Sequence, residues 1–293
     1  MSALQAYTSQ PAILAVSDED AAAYLQSQFS NDLRRSESCP ATYGLFLDRK
    51  GKVLHDAFIL QRGPEDFLLI SYHSDAETLQ CKVEENIIAD EVEIEDVSAQ
   101  FRLVTLFGDD LSSELLPPDK CFIEQDGVLI FRGRLAGTDS LDCLVPQSAE
   151  WPPAHLNATF VDAESALAAR ISCGTPSIPQ DIGEKDLPHE GADLSKAAVS
   201  YTKGCYLGQE VMARLHAMGH AQRAIYRIHF ASQSNHSTPI PVFAGEKEIG
   251  SVTSHVGGNG LALLKRRYTT GDAALCIAKP GGPTLEIISE ITA

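Results

Sequence analysis

Twelve consecutive residues bring six kinds of polar or reactive side chain together: Lys203-Gly204-Cys205-Tyr206-Leu207-Gly208-Gln209-Glu210-Val211-Met212-Ala213-Arg214. Gly204 lets the backbone pass close to another group, or take a positive φ, just before the thiol. From Leu207 onward the residues are good helix formers, so a turn leading into a short helix is expected. Cys205 would then stand near a helix N-terminus, where the dipole favours an anion, and Lys203 adds a second positive influence. Glu210 and Arg214 have helical spacing for an ion pair on one face. On spacing alone, the commoner reading is structural: a glycine turn, a salt-bridged helix, and Cys205 as a small buried hydrophobe.

Other constellations carry less. His216 and His220 could share a helix face, but Gly219 intervenes and no nearby acid completes a metal set. A loop leaving the signature helix is the expectation there, with no metal site. Asp48 and Asp56 flank a hairpin and read as turn and surface chemistry. Gly257-Gly258-Asn259-Gly260 reads as a hairpin turn, since neither Lys-Ser/Thr nor a helix follows it. The GxSxG, HExxH and Walker patterns are absent, so the common hydrolase and NTPase classes have no support. The cysteines at 39, 81, 121, 143, 173, 205 and 276 form no CxxC, which disfavours a self-contained zinc or cluster site. Their odd number fits reduced thiols in a cytoplasm.

The elements that must position these groups are mixed. Ile13 to Val16 reads as a strand, followed by a helix capped by Ser17 with acids in its first turn. Tyr43 to Leu47 and Val53 to Leu60 form a hairpin, Phe67 to Ile70 another strand, and Ser74-Asp-Ala-Glu starts a second helix. Residues 92–97 read as a strand. Short strands at 103–107, 128–131 and 141–145 follow, then a capped helix from Asp162 towards Gly174. From Ala224 the pattern is all-β, with strands at 224–230, 251–254 and 261–264. The fold class is therefore α+β rather than a doubly wound sheet, ending in a small β-barrel or sandwich. Expected divisions are 1–100, 101–223 with the signature, and 224–293.

Length and charge bound the function. The 293 residues are 44% hydrophobic and 22% charged, enough for two or three domains with real cores. A net charge of −17 argues against nucleic acid or an anionic membrane as a general partner. The N-terminus lacks a basic region and a sustained apolar core, so no signal peptide is expected. No apolar run approaches the ~20 residues of a membrane helix.

The twelve-residue stretch resembles the signature of the YgfZ-type folate-binding proteins, relatives of a mitochondrial iron–sulfur assembly factor. Their pattern, Lys-Gly-Cys-Tyr/Phe-x-Gly-Gln-Glu-x-x-x-Arg, is matched at every fixed place by Lys203, Gly204, Cys205, Tyr206, Gly208, Gln209, Glu210 and Arg214. Looser similarity runs from about Ile13 to Leu264, through Phe29-Ser-Asn-Asp32, Gly51 to Asp56, Arg170, Gly174, Pro176, Leu187-Pro188 with Glu190, and the strands after Gly250 and Gly260. The resemblance implies the fold of the glycine-cleavage T-protein, a ring of domains around a cavity for tetrahydrofolate or another reduced folate.

It further implies a cytoplasmic, monomeric accessory protein that supports assembly or repair of iron–sulfur clusters, with iron–sulfur client or assembly proteins as partners. Cys205 with Lys203 would carry the chemistry. Tyr206, Gln209, Glu210, Arg214, Gly204 and Gly208 would serve the folate. Two alternatives stay open: a folate-dependent aminomethyl transferase, and a non-catalytic folate-sensing adaptor. Against the transferase, the T-protein's catalytic Asp aligns with His55 and its folate-contacting Glu with Ser172. Neither of those can supply a carboxylate. His216 also stands where the pattern often has a second base, and it is mostly uncharged at neutral pH.

Overall fold

The computed structural model describes residues 4–34, 38–137, 140–153, 156–219, 221–231, 237–271 and 273–291. Three sheets share one core. The first runs β3-β4-β5-β2-β6, built from β2 (Ala12–Ser17), β3 (Ala41–Leu47), β4 (Val53–Gly63), β5 (Asp66–Ser71) and β6 (Glu93–Asp96). The second runs β11-β1-β7-β10-β9-β8. Its members are β1 (Gln5–Ser9), β7 (Phe101–Phe107), β8 (Phe122–Gln125), β9 (Val128–Arg132), β10 (Leu141–Pro146) and β11 (Thr159–Phe160). The chain thus gives its first strand to the second sheet before building the first. The third is a closed six-stranded barrel of β12 (Arg223–Phe230), β13 (Ile240–Ala244), β14 (Lys247–Val256), β15 (Asn259–Lys265), β16 (Leu275–Ile277) and β17 (Thr284–Glu290). Gly257 and Gly258 turn β14 into β15, as the sequence predicts.

Strand alternation assigns side chains to layers. In β4, Phe58 and Leu60 face a core shared by all three sheets, while Ala57 and Ile59 lie beneath the helices α1 (Ala21–Gln28) and α2 (Ala76–Glu84). The shared core also takes Phe131 and Leu144 from the second sheet, and Ile225 and Leu263 from the barrel. The barrel keeps a second core of its own around Ile228, Val252 and Leu264.

Helix starts were only partly legible. Asp75 and Asp162 cap α2 and α3 (Ala163–Cys173) through Thr78 and Ser165 amides, and Gly174 ends α3 in the left-handed region. The first helix is a correction: it begins at Ala21, not after Ser17. Asp18 takes a φ of 93° and binds the Glu19 amide, and Asp20 exchanges backbone and side-chain bonds with Glu91. Those acids tie a turn to the loop before β6, so a tertiary contact overrides the local capping signal. Among the described residues, no helix is long and apolar enough to cross a membrane.

Candidate functional site

At the centre, polar side chains from both open sheets converge in an otherwise apolar layer. Asp56 on β4 accepts from the Tyr43 hydroxyl at 2.9 Å and from Ser71 Oγ at 3.3 Å. Asp142 on β10 accepts from Thr105 Oγ1 at 2.6 Å and from the Tyr72 hydroxyl, which itself accepts from the Arg134 amide. Gly133 permits this: a Cβ there would lie 2.3 Å from the Asp142 carboxylate carbon. Burial pushes both carboxyls up to about 6, against the hydrogen bonds that pull them down. Burial, aided by the Arg170 charge, pushes His73 down to about 4.

Arg134 touches one tyrosine partner of each carboxylate, Tyr43 through its guanidinium and Tyr72 through its amide. Its guanidinium lies 4.6 Å from the Tyr43 ring centre and donates to Asp193 at 2.7 Å. Its Nε is buried without a hydrogen-bond partner among the described residues. An unpaired buried donor is costly, so it marks a place for a polar ligand atom. A narrow cleft lined by Tyr43, Asp56, Tyr72, His73 and Arg134 opens, past Tyr43 and Arg134, into a cavity of about 180 Å3 bounded by Phe58, Arg132 and Asn31. That cavity meets a wider outer cleft of about 690 Å3 at Asn31, Lys120 and Ala197.

Two expectations are corrected here. His55 points to the helix side, with Nδ1 2.9 Å from Ser74 Oγ, while the next residue, Asp56, presents a buried carboxylate to the centre. A period of two puts neighbours on opposite faces, so reading His55 as the cavity residue was off by one. Asp56 is accordingly no surface turn residue; Asp48 is, accepting from the Lys50 and Lys52 amides. Ser172 is exposed, and its carbonyl receives Arg227 from the barrel. The α3 residue that reaches inward is Arg170, bound to Asp181, the Thr175 carbonyl and Ser254 Oγ, which clamps the barrel to the core.

The signature forms the predicted turn and helix, α5 (Gln209–Met218), but its members divide. The Lys203 ammonium is buried and donates to the carbonyls of Gln26 (2.7 Å), Phe29 (2.7 Å) and Asn31 (2.9 Å). It closes the C-terminal end of α1, where carbonyls lack helical partners. Burial pulls it down to about 8, with Asp32 opposing, so it stays mainly protonated at neutral pH. Tyr206 turns into the shared core, its ring 5.1 Å from that ammonium and its hydroxyl unpartnered among the described residues. Gln209 reaches back to the Lys203 carbonyl at 3.4 Å. Gly208 starts α5 at a φ of 86°, and a Cβ there would approach the Asp48 carbonyl to 2.8 Å. Gly204 has open space around it, so no close approach requires glycine there.

Outside remain Cys205, Glu210 and Arg214. The last two form a 2.8 Å ion pair at 86% and 66% exposure. Cys205 is exposed and makes no hydrogen bond or ion pair among the described residues. The cation expected beside the thiol is committed to backbone. The helix runs through His216, whose ring stacks on Tyr201 at 3.9 Å, so the loop expected there starts later; His220 lies outside the described residues.

Residues 9–117 match the GCVT N-terminal domain, and residues 224–288 the CAF17 C-terminal beta-barrel domain. The fold superposes on the glycine cleavage system aminomethyltransferase T from Bartonella henselae with a TM-score of 0.79, covering 99% of this chain and 85% of that one at 17% identity. The chain thus carries a GCVT-type N-terminal domain and a CAF17-type C-terminal barrel on a T-protein-like fold. Relatives of this T-protein-like chain include an iron–sulfur cluster assembly factor IBA57 homolog, mitochondrial, from Mycosarcoma maydis, 25% identical over 74% of this chain and 55% of its own length. An aminomethyltransferase from Bacillus pumilus is 24% identical over 82% and 71%.

Sequence reasoning missed Tyr43, Tyr72, Arg134 and Asp142 in this T-protein-like fold. The available signal was a charged residue inside an apolar strand, as in Leu141-Asp-Cys-Leu-Val145.

Proposed function

We propose that the chain binds a reduced folate at its centre and supports assembly or repair of iron–sulfur clusters in client enzymes through Cys205. The pocket residues suit a flat, hydrogen-bonding heterocycle: Asp56 accepts, the unpaired Arg134 Nε donates, and Tyr43 and Phe58 offer aromatic walls. Bound there, tetrahydrofolate would supply a one-carbon carrier; the chain's own residues bind and orient it. The site residues expected from the signature are reassigned in this reading. Lys203, Tyr206, Gln209 and Gly208 hold the loop, while Glu210 and Arg214 lie on the outer face of α5.

The observation that carries the assembly reading is the state of Cys205: an exposed thiol on a loop fixed by its neighbours, three residues after Thr202 at the rim of the outer cleft. A thiol so placed can ligate iron or exchange with a client's disulfide. The test is paired. Titration with tetrahydrofolate should give saturable heat, and Cys205→Ala should bind folate like the parent yet fail to restore iron–sulfur enzyme activity in cells lacking the protein. Full rescue would leave the folate-sensing adaptor standing.

A folate-dependent aminomethyl transferase is the second reading, and Asp56 specifically favours it by placing a carboxylate in the narrow cleft beside the cavity. Folate-dependent release of the one-carbon unit from an aminomethylated donor, lost in Asp56→Asn, would put it first.

A further inference from the structure

The first sheet closes one of its edges and leaves the other open. At β3 the edge is covered by the segment after α1. Ser30 N donates to the Leu45 carbonyl at 3.0 Å, Leu45 N to Ser30 Oγ at 2.8 Å, and Asn31 Nδ2 to the Tyr43 carbonyl at 2.7 Å. That segment is backed in turn by α4 (Leu194–Ala197), whose Ala197 carbonyl takes a second bond from Asn31 Nδ2. At the other edge, β6 pairs with β2 alone among the described residues. Val97 donates to the Ile13 carbonyl, so positions 93, 95 and 97 bond inward to β2. The N–H and C=O groups of Ile94 and Asp96 therefore point outward.

The side chains along this edge carry one sign of charge. Between Lys82 and Arg102 the sequence holds seven carboxylates, at 84, 85, 90, 91, 93, 95 and 96, and no base. Of these, Glu85 alone forms an ion pair among the described residues, with Lys82. Glu19 and Asp18 crowd Glu91 further, first by a hydrogen bond and then by charge, and hold its carboxyl above the usual range. Ile94 packs beneath α2, whereas Glu93 and Glu95 stand exposed on the opposite face. Ile88, in the loop joining α2 to β6, is 93% exposed, more than any other large hydrophobic side chain among the described residues.

Charge on a short edge strand is a common defence against stray pairing. An acidic defence repels a second copy of this chain, whose net charge is −17, but it attracts a basic strand. It also leaves Ile88 uncovered, which no such defence requires. We propose that the open edge of β6 docks a basic, extended segment of a partner protein. The segment adds a sixth strand, antiparallel to β6 as every pair in this sheet is. Its residues opposite Ile94 and Asp96 take up the outward backbone groups and carry apolar side chains on the side of Ile94 and Ile88. Those opposite Glu93 and Glu95 are lysine or arginine. The docked strand lies at the far edge from β3, so the outer cleft at Asn31 and Asp32 stays open, whatever the central cavity holds.

The probe is a capped, fluorescent peptide, Lys-Val-Lys-Val-Lys-Val-Lys, followed by anisotropy and by residue-resolved amide exchange on the full-length protein. It should slow exchange at the Ile94 and Asp96 amides by about ten-fold or more, while those of Glu93 and Glu95, already bonded to β2, change little. N-methylation of its valines removes the donors that face β6 and should weaken binding about ten-fold; N-methylation of its lysines, at the same charge, should not. The variant Ile88→Ser/Glu93→Gln/Glu95→Gln, altered only at the surface, should bind about ten-fold more weakly than the parent. Equal binding of the two methylated peptides would reduce the attraction to charge alone and overturn the proposal. An unchanged affinity in the variant, or no binding by the parent, would overturn it as well. Protection of the same amides that rises with protein concentration, without peptide, would assign the edge to a second copy instead.

Discussion

The central cavity and the signature loop use polar residues in opposite ways. At the centre, Asp56 and Asp142 are buried among tyrosine and threonine donors, and Arg134 keeps a donor unpaired. In the loop, the buried Lys203 ammonium is spent on backbone, the Tyr206 ring packs into the core, and Cys205, Glu210 and Arg214 are exposed. Lys203 illustrates the difference best: a lysine beside a thiol invites a catalytic role, yet its three donors all go to the end of α1. Chemistry-bearing residue types in a motif need not do chemistry, and the groups poised for a ligand lie in and beside strands outside the signature.

Three experiments can break or sharpen that contrast. The largest expected effect is at Lys203. Lys203→Met leaves three buried carbonyls unpaired and should cost about 2–4 kcal/mol in urea unfolding. A stable Lys203→Met protein without cellular function would instead return the lysine to the reaction. Next come the glycines. Gly208→Ala forces a Cβ against the Asp48 carbonyl at a left-handed φ and should cost about 1–3 kcal/mol, whereas Gly204→Ala should change stability by less than about 0.5 kcal/mol. Equal effects would mean that the loop is not clasped to the β3–β4 turn.

The smallest effect is a slope. Asp56 has its folded pKa raised to about 6, so its contribution is fully present below the unfolded value near 4 and is lost as pH rises through 6. Asp56→Asn should therefore flatten the fall in stability between pH 4 and 7 by about 1–2 kcal/mol, read from urea midpoints across that range. An unchanged slope would place Asp56 in solvent rather than in the buried layer between the sheets.

The sequence by itself determined the α+β class, most strands, the barrel, two of the three tested helix caps and the turn-to-helix form of the signature. These follow from periodicity, capping and glycine placement, which act over a few residues. Tertiary structure alone decided which face each polar residue takes and what it meets. Nothing local distinguishes His55 from Asp56; the register of β4 between two cores sends one to the helices and the other to the cavity. Nothing within the signature shows that Lys203 reaches α1, because its carbonyl partners lie more than 170 positions earlier. The Tyr43, Tyr72, Arg134 and Asp142 cluster likewise comes from four separated segments. Its members are joined by packing of the two sheets, a long-range event driven by burial of apolar faces and invisible to any local pattern.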